Sequence, residues 1–246
     1  GYSGGKDSTA ITQLAWMAVA RLPEEERVKP IYIVTTDTMV ENPVVSHWVN
    51  TSLEQMRVTA ESDGLPIKPE LLTPAIEDSF WVNMIGKGYP APRHKFRWCT
   101  SRLKIKPTTV FIQDKVNIAG EVVLFLGART AESERRARSI RDQEQFATED
   151  FGLTPHPDML GCQVYRPIAD WSNDDVWQFL LSVPNPWSFD NKQLMAMYRG
   201  ATADNECPIV VDTSTPSCGK SRFGCWVCTL VDEDKSMTAM IQNDGE

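Results

Sequence analysis

Six residues near the start of the chain, Ser3-Gly4-Gly5-Lys6-Asp7-Ser8, have the types and spacing to hold a phosphate. Two adjacent glycines remove the Cβ atoms that would keep an anion away from the backbone, so successive N–H groups can turn inward as a nest. Lys6 adds a point charge. The apolar residues that follow (Ala10, Ile11, Leu14, Ala15, Val19) recur at helical spacing over 9–20, so Asp7 and Ser8 stand where a helix begins and the anion sits at its positive end. A Walker A loop would need four residues between its first Gly and a Gly-Lys-Ser/Thr ending; its absence points away from γ-phosphate chemistry and toward cleavage of ATP between the α and β phosphates.

The second chemical constellation is sulfur. Of six cysteines, Cys218, Cys225 and Cys228 fall in one short stretch with x6 and x2 spacing, and Cys-x-x-Cys presents two thiolates to one metal. A fourth ligand must come from elsewhere, and four thiolates suit zinc as readily as an iron–sulfur cluster. Cys162 reads as a small buried hydrophobe. Disulfides are the competing explanation, disfavoured by the reduced cytoplasmic setting expected of a nucleotide-binding α/β enzyme.

These groups need a scaffold. Ile31–Val34 reads as a buried strand ending at Thr35, Thr36 and Asp37; 44–60 has helical character; a Pro-rich connection covers 65–74; and 122–126 is a second clear strand. Alternation of strands and helices predicts an α/β fold, a parallel twisted sheet with helices on both faces, in which the loops after Val34 and Leu126 converge with Lys6 at the carboxyl ends of the strands. Residues 1–180 are expected to form this domain. Residues 181–246, richer in Pro, Asn, Ser and Cys, are expected to form a small cysteine-rich region. The strand that would feed the loop lies before Gly1, so residues are expected to precede it and targeting signals are not legible.

A net charge of −8 over 246 residues, with no apolar run of membrane-spanning length, excludes a broadly basic nucleic-acid binder and gives no sign of a membrane partner. Any basic face is local. One candidate segment holds Arg93, His94, Lys95, Arg97, Arg102, Lys104 and Lys106 around Phe96 and Trp98; the other holds Arg129, Arg135, Arg136, Arg138 and Arg141. Either could simply be a solvated face. Trp171 to Trp177 reads as a helix capped by Ser172 that buries indoles.

Ser3–Ser8 resembles the signature of the PP-loop ATP pyrophosphatases, the adenine nucleotide alpha hydrolase-like group. Gly127-x-Arg129-x-x-Glu132-Ser133 with Arg136, the Arg97-Trp98-Cys99 stretch with Lys104 and Pro107, and Tyr165-Arg166-Pro167-Ile168 with Trp171-Ser172 and Asp175-Val176-Trp177 are similar to the phosphoadenylyl-sulfate reductase branch of that group. Cys99 resembles the first of a cysteine pair that, with a later Cys-x-x-Cys, holds a four-iron cluster in adenylyl-sulfate reductases. Thr100 stands where the second would be. The resemblance thus implies a 4Fe-4S cluster on Cys99, Cys218, Cys225 and Cys228, with Cys207 in reserve.

The stretch from Glu206 to Cys228, with 195–200 before it and Asp234-Lys235-Ser236-Met237 after it, resembles the DndC proteins of bacterial DNA phosphorothioation. That resemblance implies an ATP pyrophosphatase and sulfurtransferase acting on DNA, with ATP and Mg2+, a cysteine desulfurase as sulfur donor, and DndD and DndE as partners. Ser3, Gly4, Gly5, Lys6, Asp7, Ser8 and Gly127 would hold nucleotide, Asp37 nucleotide or magnesium, and Lys104, Arg129 and Arg136 would offset charge on the phosphates. A sulfonucleotide reductase shares most motifs, but its Glu-Cys-Gly-x-His element does not follow Cys228 here. A tRNA thiolase, an SspD-type enzyme and a non-catalytic zinc-binding DNA subunit are the other readings.

Overall fold

The computed structural model describes residues 1–148, 151–201 and 223–243. Chain order gives α1 (Lys6–Ala20), β1 (Ile31–Thr36), α2 (Pro43–Ser62), β2 (Ile67–Leu72), α3 (Lys106–Ala119), β3 (Val122–Phe125), α4 (Glu134–Glu144), β4 (Thr154–Pro155), β5 (Cys162–Tyr165), α5 (Asn173–Ser182), α6 (Asn191–Gly200) and α7 (Lys235–Asn243). The expected α/β architecture is present. β1 pairs with β2 in parallel, Ile31 opposite Ile67; β3 pairs with β5 in parallel, Val122 opposite Cys162, and β4 adds an antiparallel edge.

The phosphate-loop stub lies between the two sheets. Tyr2 N donates to Val34 O at 2.8 Å and the Gly1 amine to Phe125 O at 3.2 Å, while Thr35 Oγ1 donates to Tyr2 O at 2.7 Å. The loop therefore leaves the carboxyl ends of β1 and β3 together, where α/β sheets place their ligands.

The Pro-rich segment read as a connection contains β2, a correction to the sequence reading. Pro69 concealed it, yet β2 bonds only to β1 among the described strands, and on an edge the missing N–H costs no ladder bond on the open side.

Helix α1 is buried over nearly all of its first three turns because α5 and α6 pack on one side and the core of β1, β2 and α2 on the other. Ala10 and Ile11 pack with Val176, Trp177, Leu194 and Met195 on one side; on the other, Trp16 meets Trp187 with ring centroids 5.6 Å apart, in the core of Val49, Leu53 and Met56. Each such large side chain removed from water stabilises the fold by roughly 1.5–3 kcal/mol. The fully buried Gln13 donates to Val183 O and Pro184 O, both at 3.1 Å, and accepts from Asn191 Nδ2 at 3.1 Å. Residues 183–195 are thereby fixed on α1. As expected, Ser172 caps α5, its Oγ accepting from Asp175 N at 3.1 Å; of the two indoles expected to be buried, Trp177 is buried and Trp171 half-buried. Cys162 is buried, and burial pushes its thiol up. No described helix is long and apolar enough to cross a membrane.

Candidate functional site

A cleft of about 610 Å³ opens over the first eight residues. Its walls include the tail of β1 with Asp37, Glu41 just before the cap of α2, Lys104 and Thr108, and Met197, Tyr198 and Phe223. That volume lies within the range of ligand pockets, about 300–1,000 Å³.

Gly4 has φ of +73°, and a Cβ there would stand 2.5 Å from Val49 Cγ2, so both conformation and space require glycine. Gly5 caps α1, its carbonyl accepting from Ser8 Oγ at 2.8 Å and Thr9 N at 2.9 Å. Ser8 Oγ in turn accepts from Ser3 N at 3.1 Å, which ties the loop across its mouth. The Lys6 N–H, at the centre of the nest, donates to Tyr198 Oη at 3.2 Å.

Lys6 Nζ lies 2.7 Å from Asp7 Oδ2, and the other oxygen of that carboxylate accepts from Arg129 Nε at 2.6 Å. Burial lowers the Lys6 amine below the usual lysine range, and it outweighs the opposing pull of Asp7. Arg129 is only 3% exposed and also donates to Trp171 O at 3.1 Å. The expectation of an arginine facing phosphate directly is refined accordingly: its guanidinium holds Asp7.

The rest of the Gly127–Ser133 element has a positional reading. A Cβ on Gly127 would come within 3.0 Å of the Asp7 carbonyl carbon and oxygen, so this glycine lets the loop after β3 close on the start of α1. Glu132 accepts from Arg129 N at 2.8 Å and pairs with Arg136, and Ser133 caps α4 through Arg136 N. Arg136 therefore stands three contacts behind Asp7, through Glu132 and Arg129. Asp37 reaches the cleft wall with one carboxylate oxygen accepting from Met39 N at 2.7 Å.

Lys104 lies in a wide helical turn, Thr100–Ile105, and pairs with Glu41 at 3.2 Å. Asp78, 2% exposed, anchors that turn from both sides by binding Arg102 at 2.5 Å and Lys106. Three cations of the first basic segment are thus already paired inside the protein. Glu41 also accepts from Thr38 Oγ1 at 3.0 Å and pairs by backbone bridge with Cys225, whose Sγ is 3.8 Å from Thr38 Oγ1. Burial first, and then the Glu41 carboxylate, push the Cys225 thiol up. Cys228 N donates to Cys225 O at 3.0 Å, and Cys99 and Cys225 pack against one apolar cluster of Val40, Phe80, Trp98 and Leu103. No three His, Cys, Asp or Glu side chains among the described residues are grouped as a metal site. Cys207 and Cys218 lie outside the described residues.

The nest, the buried Lys6 and the strand-end cleft have the chemistry to hold a phosphate, and the phosphoadenosine phosphosulfate reductase domain model matches residues 1–230. The chain belongs to this family. Its members are nucleotide-using enzymes, and some carry iron–sulfur clusters. An uncharacterised protein of Methanocaldococcus jannaschii is 26% identical over 188 residues; the match covers 76% of this chain and 32% of that protein, so the chain spans about a third of the relative's length.

Within this reductase-family site, Tyr198, Glu41, Thr38 and Thr108 are the residues that sequence reasoning passed over. Tyr198 reaches Lys6 across 192 positions and Thr38 reaches Cys225 across 187. No local spacing signals such pairs.

Proposed function

We propose that this chain splits ATP into AMP and pyrophosphate to activate a DNA backbone phosphate for replacement of a non-bridging oxygen by sulfur. The observation that carries the first half is the Lys6–Asp7–Arg129 chain fixed under an anion nest at the N-terminus of α1. A non-bridging oxygen of the acceptor attacks the α-phosphorus and pyrophosphate leaves; a sulfur nucleophile then attacks the adenylylated phosphorus and expels AMP. Ser3 to Ser8 hold the pyrophosphate half, and Lys6 and Lys104 oppose the charge that develops on it. Arg129 acts through Asp7 and Arg136 through Glu132. Asp37, on the same wall, is the residue to meet magnesium or ribose. DNA as acceptor rests on the resemblance of the cysteine-rich stretch to the DndC proteins, which also supplies the cysteine desulfurase and the DndD and DndE partners.

The resemblance to cluster-bearing reductases assigns a 4Fe-4S cluster to Cys99, Cys225 and Cys228, all free thiols, with Cys218 as the fourth ligand; Cys99 and Cys225 border one apolar cluster. Bound there, a cluster would supply sulfide and one-electron chemistry beside the cleft. Anaerobically purified Cys225→Ser protein should lose iron and visible absorbance while keeping its fold.

The test of the reading is pyrophosphate release from ATP in the presence of DNA, tRNA or a sulfonucleotide, with Lys6→Ala as control. Release that needs both DNA and Lys6 supports it. The matched family favours a sulfonucleotide reductase as the second reading; with a thiol reductant supplied, sulfite formed together with adenosine 3′,5′-bisphosphate from the phosphoadenylyl sulfate, or with AMP from adenylyl sulfate, would replace the first with it.

A further inference from the structure

Of the first basic segment, Arg102, Lys104 and Lys106 are paired, whereas Arg93, His94 and Lys95 have no ion pair among the described residues. The last three sit on a tight turn closed by Arg93 N to Phe96 O at 3.1 Å and Phe96 N to Arg93 O at 2.7 Å, and all four side chains are exposed. In a protein of net charge −8, an unpaired basic turn is a local exception.

Next to it is an aromatic face that water should not be left to cover. Trp81 and Trp226 are 44% and 53% exposed with ring centroids 6.0 Å apart, and Phe96 is 39% exposed. The rings are held from behind. Phe80 packs edge-on against Trp81 at 5.1 Å and stacks on Trp98 at 5.4 Å, whose Nε1 donates to Pro90 O at 3.0 Å. Thr229 Oγ1 donates to Pro92 O at 2.6 Å, which ties the loop carrying Trp226 to the basic turn. Trp226 N donates to Val40 O at 3.1 Å, one residue from Glu41 on the cleft wall. Rigid exposed indoles beside unpaired cations match a polyanion with free π faces. Duplex bases already stack on one another, so the fitting polymer is unpaired.

The geometry points to a single-stranded DNA platform formed by Trp81, Trp226 and Phe96 with Arg93, His94 and Lys95, leading toward the nucleotide cleft; it rests on the reading of DNA as the acceptor. Bases stack on the two indoles, phosphates run along the turn, and the strand meets the cleft at Glu41. The strand would have to be opened locally by a partner or offered already unpaired.

The experiment is fluorescence anisotropy of a short labelled oligo-deoxythymidine against the full chain without ATP, over a salt series. Trp81→Ala should weaken binding by roughly tenfold or more, since a stacked base contributes about 1–3 kcal/mol, and Trp81→Phe should restore most of it. Arg93→Glu with Lys95→Glu, both exposed and foldable, should flatten the logarithmic salt slope by about 1.4, near 0.7 per phosphate. Unchanged affinity in both variants overturns the platform, as does tighter binding of the duplex or of an RNA strand of equal length. The pyrophosphate assay separates the two ideas: a strand that binds through Trp81 without stimulating release leaves the platform standing and removes the activation reading.

Discussion

Asp7 and Arg129 are 122 positions apart in the chain and 2.6 Å apart in the fold, and through this contact the loop after β3 sets the orientation of the phosphate-binding turn. Arg129→Ala should destabilise the protein by about 3 kcal/mol, the lower end for breaking a buried pair, because Asp7 keeps Lys6 and its side chain is 24% exposed. Urea unfolding measures that loss. The stronger expectation concerns rate: under conditions where the variant remains folded, pyrophosphate release should fall at least tenfold. Arg129→Lys should recover charge without the bond to Trp171 O, so it should recover only part of either quantity.

Lys6 gives a prediction in pH. Burial lowers its amine from 10.5, so in the interval between the folded value and 10.5 the unfolded chain holds a proton that the folded chain has released. Stability therefore rises with pH across that interval, and below it the protonated, buried Lys6 lowers stability by a constant amount. Lys6→Met should remove the rise, and subtracting its urea midpoints from those of the unmodified protein isolates the Lys6 contribution. Pyrophosphate in the cleft should reverse the shift and draw a proton onto Lys6, visible as a buffer-dependent heat of binding in alkaline solution. A midpoint difference that stays flat with pH would show Lys6 to be uncoupled from folding.

The phosphate loop was legible in the sequence because glycine positions and helix periodicity are local signals, and Gly4 and α1 confirm both. Arg129 was legible as important but not as buried: arginine next to other arginines reads as a solvated face, and only the approach of Gly127 to Asp7 turns it inward. β2 was hidden by Pro69, whose edge position is a tertiary fact. Glu41 carried no signal, and Tyr198 only its place in a family-like stretch, since the nest donor and the cysteine bridge they serve lie on other elements. The basic segment was read as one feature, yet Asp78 and Glu41 pair Arg102, Lys104 and Lys106 while Arg93, His94 and Lys95 have no ion pair among the described residues.

Gly127→Ala tests the packing of the loop on α1. The new methyl would meet the Asp7 carbonyl carbon and oxygen at 3.0 Å and Ser8 N at 3.3 Å, all backbone atoms that cannot swing away. Overpacking of this kind costs about 1–3 kcal/mol, so the melting temperature should drop by several degrees. Displacement of Asp7 should also weaken nucleotide binding. A variant with unchanged melting temperature and unchanged nucleotide affinity would mean that the two segments are not held as closely as described.

Asp78 should control the acid limit of the fold. Its carboxyl is held below the usual aspartate value of 3.8, chiefly by Lys106 and then by Arg102, against the opposing effect of burial. A lowered folded value means that the stabilisation is complete above the unfolded value and is lost as pH falls through the folded one. Asp78→Asn should therefore raise the pH of half-unfolding in an acid titration followed by near-ultraviolet circular dichroism, and it should lower stability at neutral pH. Because Arg102 and Lys106 flank Lys104, release of both should also loosen the turn that brings Lys104 to Glu41. The same variant should then show a raised KM for ATP, which Asp78→Glu should partly correct. If acid stability changes while KM does not, the anchoring of Lys104 by Asp78 is excluded and the pair serves the fold alone.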